Sequence, residues 1–336
     1  MRDVAQHVGL SVATVSRAIS SPEQVSLEKR RRIEEAIARL NYRPNLVART
    51  LRRRESRTAL IIFPDLSPLF LDVFRGAERA AEEIGYTALM GHCARDCDRE
   101  RMFLDQALSG RADGVVLVAS GNGREIARRV QVPPLVTMME AIEGGTFPTV
   151  QVDHRAGARG ATEHLIELGH QRISHISGPP GPLAALRLAG FQDAIAGAGL
   201  DPRHCYVAPG DFSITGGEIA MERLLTRHPK PTAVFCANDE SAVGALQVVK
   251  RAGLRIGSDI SIVGFDDQRM ASLYEPQLTT IHVPMEELGY QAMMLLHRVI
   301  ARRGEIENIE LPTRLIVRET TDAPAGCRKA ITGTHQ

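Results

Sequence analysis

The sequence predicts a small all-α headpiece followed by a larger α/β body made of two parallel-sheet lobes. Residues 4–19 set apolar side chains at helical spacing on either side of Gly9. From Thr58 onward short apolar runs alternate with helical stretches, which is the grammar of parallel strands joined by right-handed crossovers. That alternation occurs twice in tandem. A chain of 336 residues with 43% hydrophobic content is long enough to fill a headpiece and two cores.

In the headpiece, Val4, Ala5 and Val8 form one apolar face that breaks at Gly9 and resumes as Val12, Val15 and Ile19. Two short helices therefore meet at a tight turn, the helix-turn-helix pattern. Ser11 is a good N-cap for the second helix. Val12 and Ala13, at its start, are expected to face outward. Thr14, Ser16 and Arg17 add donors suited to phosphate oxygens and, for Arg17, to the O6/N7 edge of a guanine. The bland alternative is a helical hairpin with no ligand. A third helix from about Ser26 carries Ile33, Ala36, Ile37 and Leu40 on one stripe, with Lys29 to Arg32 opposite it. Asn41-Tyr-Arg-Pro44 ends that helix, because proline disfavours helical geometry in the residue before it. Asn45 to Arg54 has helical propensity but falls short of the ~12–15 residues that hold a helix alone in water, so it reads as a linker that folds on binding.

In the body, the first set of strands is expected at Ala59–Phe63, Thr87–Met90, Asp113–Ala119 and Leu135–Met138, with helices near Phe70–Ile84, Arg99–Leu108 and Glu125–Val130. The second set is expected at Thr149–Val152, Arg172–Ser177, Tyr206–Ala208, Ala233–Ala237 and Ser261–Phe265. Its helices fall at Ala156–Leu168, Leu183–Ala198, Ile214–Arg227 and Asp239–Ala252. A helix Pro284–Ala301 and a strand Thr313–Val317 follow both sets. Residues 322–336 carry Pro, Gly and polar residues without periodicity and read as a disordered tail.

A formal net charge of +1 hides an asymmetry. Residues 1–57 hold 13 Lys and Arg against 6 Asp and Glu, and the rest of the chain holds 28 against 34. A basic head on an acidic body points to a polyanionic partner for the head only. Cysteines at 93, 97, 205, 236 and 327 are odd in number and scattered, which argues against a disulfide framework. His92, Cys93 and Cys97 have no further cluster to complete four metal ligands, so neither a metal nor any other cofactor is expected. No run approaches the ~20 apolar residues of a membrane span, and no secretory signal precedes the helix-turn-helix. The expectation is a cytoplasmic protein without membrane contact. Gly121-Asn-Gly123-Arg-Glu-Ile126 lacks the third glycine of a dinucleotide fingerprint, and no phosphate loop or nucleophile elbow appears. No enzyme is expected.

The stretch Asp3-Val-Ala-Gln-His-Val-Gly-Leu-Ser-Val-Ala-Thr-Val-Ser-Arg17 resembles the DNA-binding signature of the lactose-repressor (LacI/GalR) family of transcription regulators, and the resemblance continues to about Thr320. Within the family, Glu55-Ser-Arg-Thr58 and later segments are most similar to the cytidine-responsive branch. The resemblance implies a helix-turn-helix headpiece (residues 1–44), a hinge helix (45–57) and a periplasmic-binding-protein-like body. Its first lobe would be 58–153 with 284–312, and its second 154–283 with 313–321. It further implies DNA contacts from Asn45 and Ala48, with Leu51 as a wedge in the minor groove, where an apolar side chain unstacks a base step. A simple core contact is the alternative for Leu51.

For a ligand, strand ends are the first candidates, since open parallel sheets bind beyond the carboxyl ends of their strands. Phe70 and Phe212 lie there and could stack on a ring, with core packing the alternative for each. By the resemblance, Arg187 and Asp266 bind ligand hydroxyls and Asn238 adds a polar contact. A structural ion pair is the alternative for Arg187 and Asp266. His154 stands where the family often has Asn after Asp153, and Val283 and Met285 stand where it often has Gln and an aromatic, so no contact is carried over there. A single cleft arginine argues against a phosphorylated ligand. The resemblance thus implies a homodimeric repressor reading a pseudo-palindromic double-stranded operator, switched by a nucleoside such as cytidine or else by a neutral sugar. It allows a partner activator protein. A two-lobed solute-binding protein is the remaining alternative.

Overall fold

Gly9 ends the first helix in the left-handed conformation (φ 65°), a backbone state that only glycine adopts at no steric cost. Its neighbour Leu10 donates its N–H back to the Ala5 carbonyl at 3.0 Å, closing the helix Arg2–Val8. The next helix, Val12–Ser20, starts behind Ser11, whose hydroxyl accepts from the Thr14 N–H at 3.1 Å. The third, Leu27–Arg39, packs Ile33 and Ala36 against Val4, Ala5, Val8, Val15 and Ala18. Val12 is 40% exposed, in line with its expected outward position, whereas Leu40, expected on the stripe of the third helix, is 41% exposed at that helix's end. Arg32, read as part of a solvated basic face, donates to the Val8 carbonyl at 2.9 Å and so caps the first helix.

The computed structural model describes residues 1–20, 22–42, 55–118, 123–302 and 306–325. Asn45, Ala48 and Leu51, the expected hinge contacts, lie outside the described residues, as do 326–336 of the expected tail. The helices above belong to one unit, Met1–Ser56, and everything below to a second, Arg57–Gln336.

The second unit holds two six-stranded sheets. In the first, β1 (Thr58–Phe63) lies between β2 (Thr87–His92) and β3 (Gly114–Val118), and β4 (Leu135–Met138), β5 (Thr149–Val152) and β11 (Ile309–Leu311) extend it, all parallel. In the second, the order is β12 (Arg314–Ile316), β10 (Thr279–His282), β9 (Ser261–Asp266), β8 (Ala233–Cys236), β6 (Ile173–Ile176) and β7 (Val207–Ala208). Among the described residues only β12 runs antiparallel to its neighbour. The chain therefore passes between the lobes after β5, after β10 and after β11.

Buried strands such as Ala59–Phe63 and Gly114–Val118 are almost wholly apolar because helices cover both faces of their sheet. The helix Met285–Ala301 returns to the first lobe and lies against Pro68–Glu83. Their backbones touch through glycine. A Cβ on Gly76 would sit 1.8 Å from the Glu286 carbonyl oxygen, and one on Gly289 would sit 1.9 Å from that of Val73. Residue 322, where the expected tail starts, is held in place: the Asp322 carbonyl accepts from His170 Nε2 at 2.9 Å and Ser261 Oγ at 3.0 Å, which fixes it to the second lobe. Among the described residues no helix is long and apolar enough to cross a membrane.

Candidate functional site

The carboxyl ends of strands from both sheets open into one cavity of about 670 Å³. Pro64 and Asp65 follow β1, Met139 and Glu140 follow β4, Asn238 follows β8, and Asp266 ends β9. Open parallel sheets present backbone and loop groups at this edge, which is where such folds hold ligands. Phe70, Arg187, Phe212, Asn238 and Asp266, the residues singled out from sequence, all line this cavity.

Arg187 projects from the helix Pro182–Gly197 and is only 1% exposed. Its Nη2 donates to Asp266 Oδ1 at 2.9 Å, its Nη1 donates to the Ala237 carbonyl, and its Nε has no hydrogen-bond partner among the described residues. The guanidinium stacks on Phe265 at 3.8 Å from the ring centroid and lies 5.9 Å from that of Phe212. Arg187 and Asp266 are thus joined directly, within the second lobe. Burial pushes the Asp266 carboxyl up, and the Arg187 guanidinium beside it pulls it back. Asp266 lines the cavity, and its Oδ2 has no hydrogen-bond partner among the described residues, which suits it to accept from a ligand hydroxyl.

Behind this pair sits Asp239, fully buried, whose carboxyl accepts from Thr280 Oγ1 at 2.5 Å and from the Gln268 N–H at 2.7 Å. Burial and then the neighbouring Asp266 hold it well above the usual carboxylate range. His154 is 2% exposed, with Nδ1 3.4 Å from Arg187 Nη2. Burial and then Arg187 keep its imidazole well below the usual range, so it stays neutral beside the cation. Val283 and Met285 are buried, 2% and 6% exposed, and pack in the core.

The two rings are held differently. Phe70, in the first turn of Pro68–Glu83, leans on Phe63 at 5.3 Å between centroids and is 8% exposed, so it serves the core and the cavity wall together. Phe212 is half-buried in a left-handed backbone state (φ 67°). Its ring lies where a Cβ on Gly178 would be 2.2 Å from Cζ, so that glycine makes the space. Asn238 fixes both sides of this loop: Nδ2 donates to the Phe212 carbonyl at 2.8 Å, and Oδ1 accepts from the Ser241 N–H at 3.0 Å as a helix cap. Its amide therefore positions Phe212 as well as facing the cavity. Met139 (φ 70°), from the first lobe, and Asp266 (φ 106°), from the second, also line the cavity in the positive-φ state. Such arrangements cost about 1–3 kcal/mol each and persist where surrounding structure holds a site in shape.

Sequence reasoning missed Asp65, Arg95, Glu140 and Glu240, which also line the cavity. The strand-end rule could have found the first and third, since each stands two residues past a strand. The expectation of a single cleft arginine is corrected here: Arg95 reaches the cavity too, donating to Asp65 Oδ2 at 2.8 Å from a loop residue with φ 55°.

In the headpiece, Val12, Ala13 and Arg17 are exposed, while Thr14 and Ser16 are half-buried. Thr14 Oγ1 lies 2.8 Å from Ser11 Oγ, so its hydroxyl also braces the start of the helix. Val15 and Ala18 point the other way, into the core.

A model of the lacI family of bacterial regulatory proteins matches residues 1–45, and one of periplasmic binding protein-like domains matches residues 162–321. The chain is 40% identical over 302 residues to the HTH-type transcriptional repressor CytR of Escherichia coli (strain K12), covering 88% of each. It is 36% identical over 324 residues to the ribose operon repressor of the same strain, covering 95% of this chain and 98% of that one. A solved structure of the lac repressor dimer bound to operator and the anti-inducer ONPF superposes with a TM-score of 0.87 at 29% identity, covering 96% of this chain and 98% of that one.

Proposed function

The chain belongs to the LacI family of bacterial transcription regulators, DNA-binding repressors and not enzymes, and from that premise we propose that its effector is a nucleoside such as cytidine. The observation that carries this reading is the cavity itself. It sets a phenyl ring from each lobe, Phe70 and Phe212, around the Arg187–Asp266 pair. A planar base finds two aromatic walls, and a ribose finds a carboxylate oxygen able to accept from vicinal hydroxyls. The similarity to CytR supports the same choice. The second reading is a neutral sugar, favoured by the ribose operon repressor and by Asp266, which would serve a hexose or free ribose equally.

In this reading two copies pair their headpieces on a pseudo-palindromic operator, since one headpiece buries too little surface for high specific affinity. The lac repressor dimer on operator supports that arrangement. Val12 and Ala13 offer apolar contacts to thymine methyls, and Arg17 a base or phosphate contact. Asn45, Ala48 and Leu51 would act from the hinge. Effector binding shifts the population between open and closed clefts. A coupling of about 1–3 kcal/mol then gives 5–150-fold control of operator affinity.

The test is thermal stabilisation of the full chain against nucleosides, nucleobases and neutral sugars, because a ligand that binds only the folded state raises the unfolding midpoint. A rise with cytidine is the expected result, and an operator-binding assay with that ligand follows. A rise with sugars alone would transfer the effector role to them.

A further inference from the structure

The charges around the cavity do not balance. Asp65 and Glu140 from the first lobe and Asp211, Glu240 and Asp266 from the second face it, against Arg95 and Arg187. Both cations are already engaged by carboxylates: Arg95 by Asp65 at 2.8 Å and Arg187 by Asp266 at 2.9 Å. Asp211, exposed, is engaged by Ser213, accepting from its N–H at 2.9 Å and its hydroxyl at 2.6 Å. Glu140 and Glu240 are left facing the cavity from opposite lobes.

The place where a phosphate would ordinarily settle is also taken. Pro182, Leu183 and Ala184, the first turn of the helix Pro182–Gly197, line the cavity. A helix N-terminus is a ready anion site. Here Pro182 has no N–H to offer, and the Glu140 carboxylate lies against the Leu183 backbone N–H. Arg187, 1% exposed with Nε unpartnered, is held away from an incoming anion by Asp266 and by the Ala237 carbonyl.

We propose that Glu140 and Glu240 form a charge filter across the cleft, so that the effector is an uncharged hydroxyl-bearing molecule and its phosphate monoester is refused. The assignment rests on the cleft being the effector site. Asp266 and Asp65 already act on Glu240 as like charges, so that side of the cleft is acidic before a ligand enters. An added phosphate dianion would meet like charge on both walls and find no free guanidinium, a juxtaposition that costs affinity steeply.

The experiment uses matched pairs on the full chain by titration calorimetry: cytidine with cytidine 5′-monophosphate, and ribose with ribose 5-phosphate. The neutral member of a pair is expected to bind at least about 100-fold more tightly than the phosphorylated one. In Glu240→Gln and Glu140→Gln that ratio narrows by about tenfold each, the worth of one removed like-charge contact. Both substitutions keep size and hydrogen-bonding shape, and thermal midpoints equal to the parent's show that they fold. Equal binding of both members of a pair overturns the filter while leaving the effector reading intact. Unchanged ratios in the two variants overturn the assignment to these residues. Binding by no neutral member overturns the filter and the effector reading together.

Discussion

Replacing Arg187 by methionine should cost the body about 3–5 kcal/mol, the penalty for stranding one partner of a buried ion pair. The structure sets that scale. Asp266 is 5% exposed, its guanidinium partner is 2.9 Å away and 1% exposed, and the next charge is the buried carboxyl of Asp239. At about 2–4 °C per kcal/mol for a body of this size, the unfolding midpoint should fall by roughly 6–20 °C. Asp266→Asn in the same chain removes the stranded charge and should recover most of the loss. A stranded acid titrates higher in the folded state than in the unfolded one. The deficit of the single variant should therefore shrink as pH is lowered from about 7 toward about 4. Circular dichroism melts of the parent, both single variants and the double variant measure all of this. A loss under about 1 kcal/mol, as for an exposed pair, would refute the burial argument.

Acid should destabilise the second lobe through His175, which is fully buried between Phe191 and Phe235 and held at about 4 against an ordinary 6.5. The unfolded chain binds the proton more readily, so stability is complete above pH 6.5 and is lost as pH falls through that window toward 4. The loss reaches about 3 kcal/mol. Urea midpoints taken across pH should show that His175→Phe removes this component, and an identical acid profile would count against it. Gly76→Ala should lose about 1–3 kcal/mol by wedging the two first-lobe helices apart. Gly160→Ala, with open space around it, serves as the control and should gain about 0.5–1 kcal/mol. Equal midpoints for the two would mean the helices are not in backbone contact. Arg17→Ala should weaken binding to a selected operator and either lower the salt slope by about 1 or relax specificity at one base pair. If affinity, slope and specificity all survive, Arg17 makes no DNA contact.

Much of this molecule is written in local pattern. Val4, Val8 and Val15 give the headpiece core, and unbroken apolar runs such as Leu60–Phe63 and Val115–Val118 give the inner strands, because burial on both faces leaves no polar position in them. β10 and β11 are harder to see. Thr279-Thr-Ile-His282 and Ile309-Glu-Leu311 are short and mixed, and they pair only because distant strands are already in place. In the cavity, ring and strand-end positions pointed to Phe70 and Phe212. Glu140 stands at a strand end too, but without a ring a lone glutamate there reads as solvated surface, and Glu240, in a helix, has no strand-end signal at all. Their meaning arises only where two lobes converge. The direct bond between Arg187 and Asp266 is similarly invisible, as 79 residues separate them.

The late strands β11 and β12 close one sheet each, from segments only a few residues apart. On a ribosome, which releases the chain from its amino end, the headpiece emerges complete long before either sheet has its last strand. A nascent regulator therefore acquires its DNA-reading part first and its sensing part last, with both lobes finished almost together. A premature stop ahead of Ile309 would remove an edge from each sheet at once. Truncation ahead of β11 is thus expected to destroy sensing in both lobes while leaving the reading helix encoded.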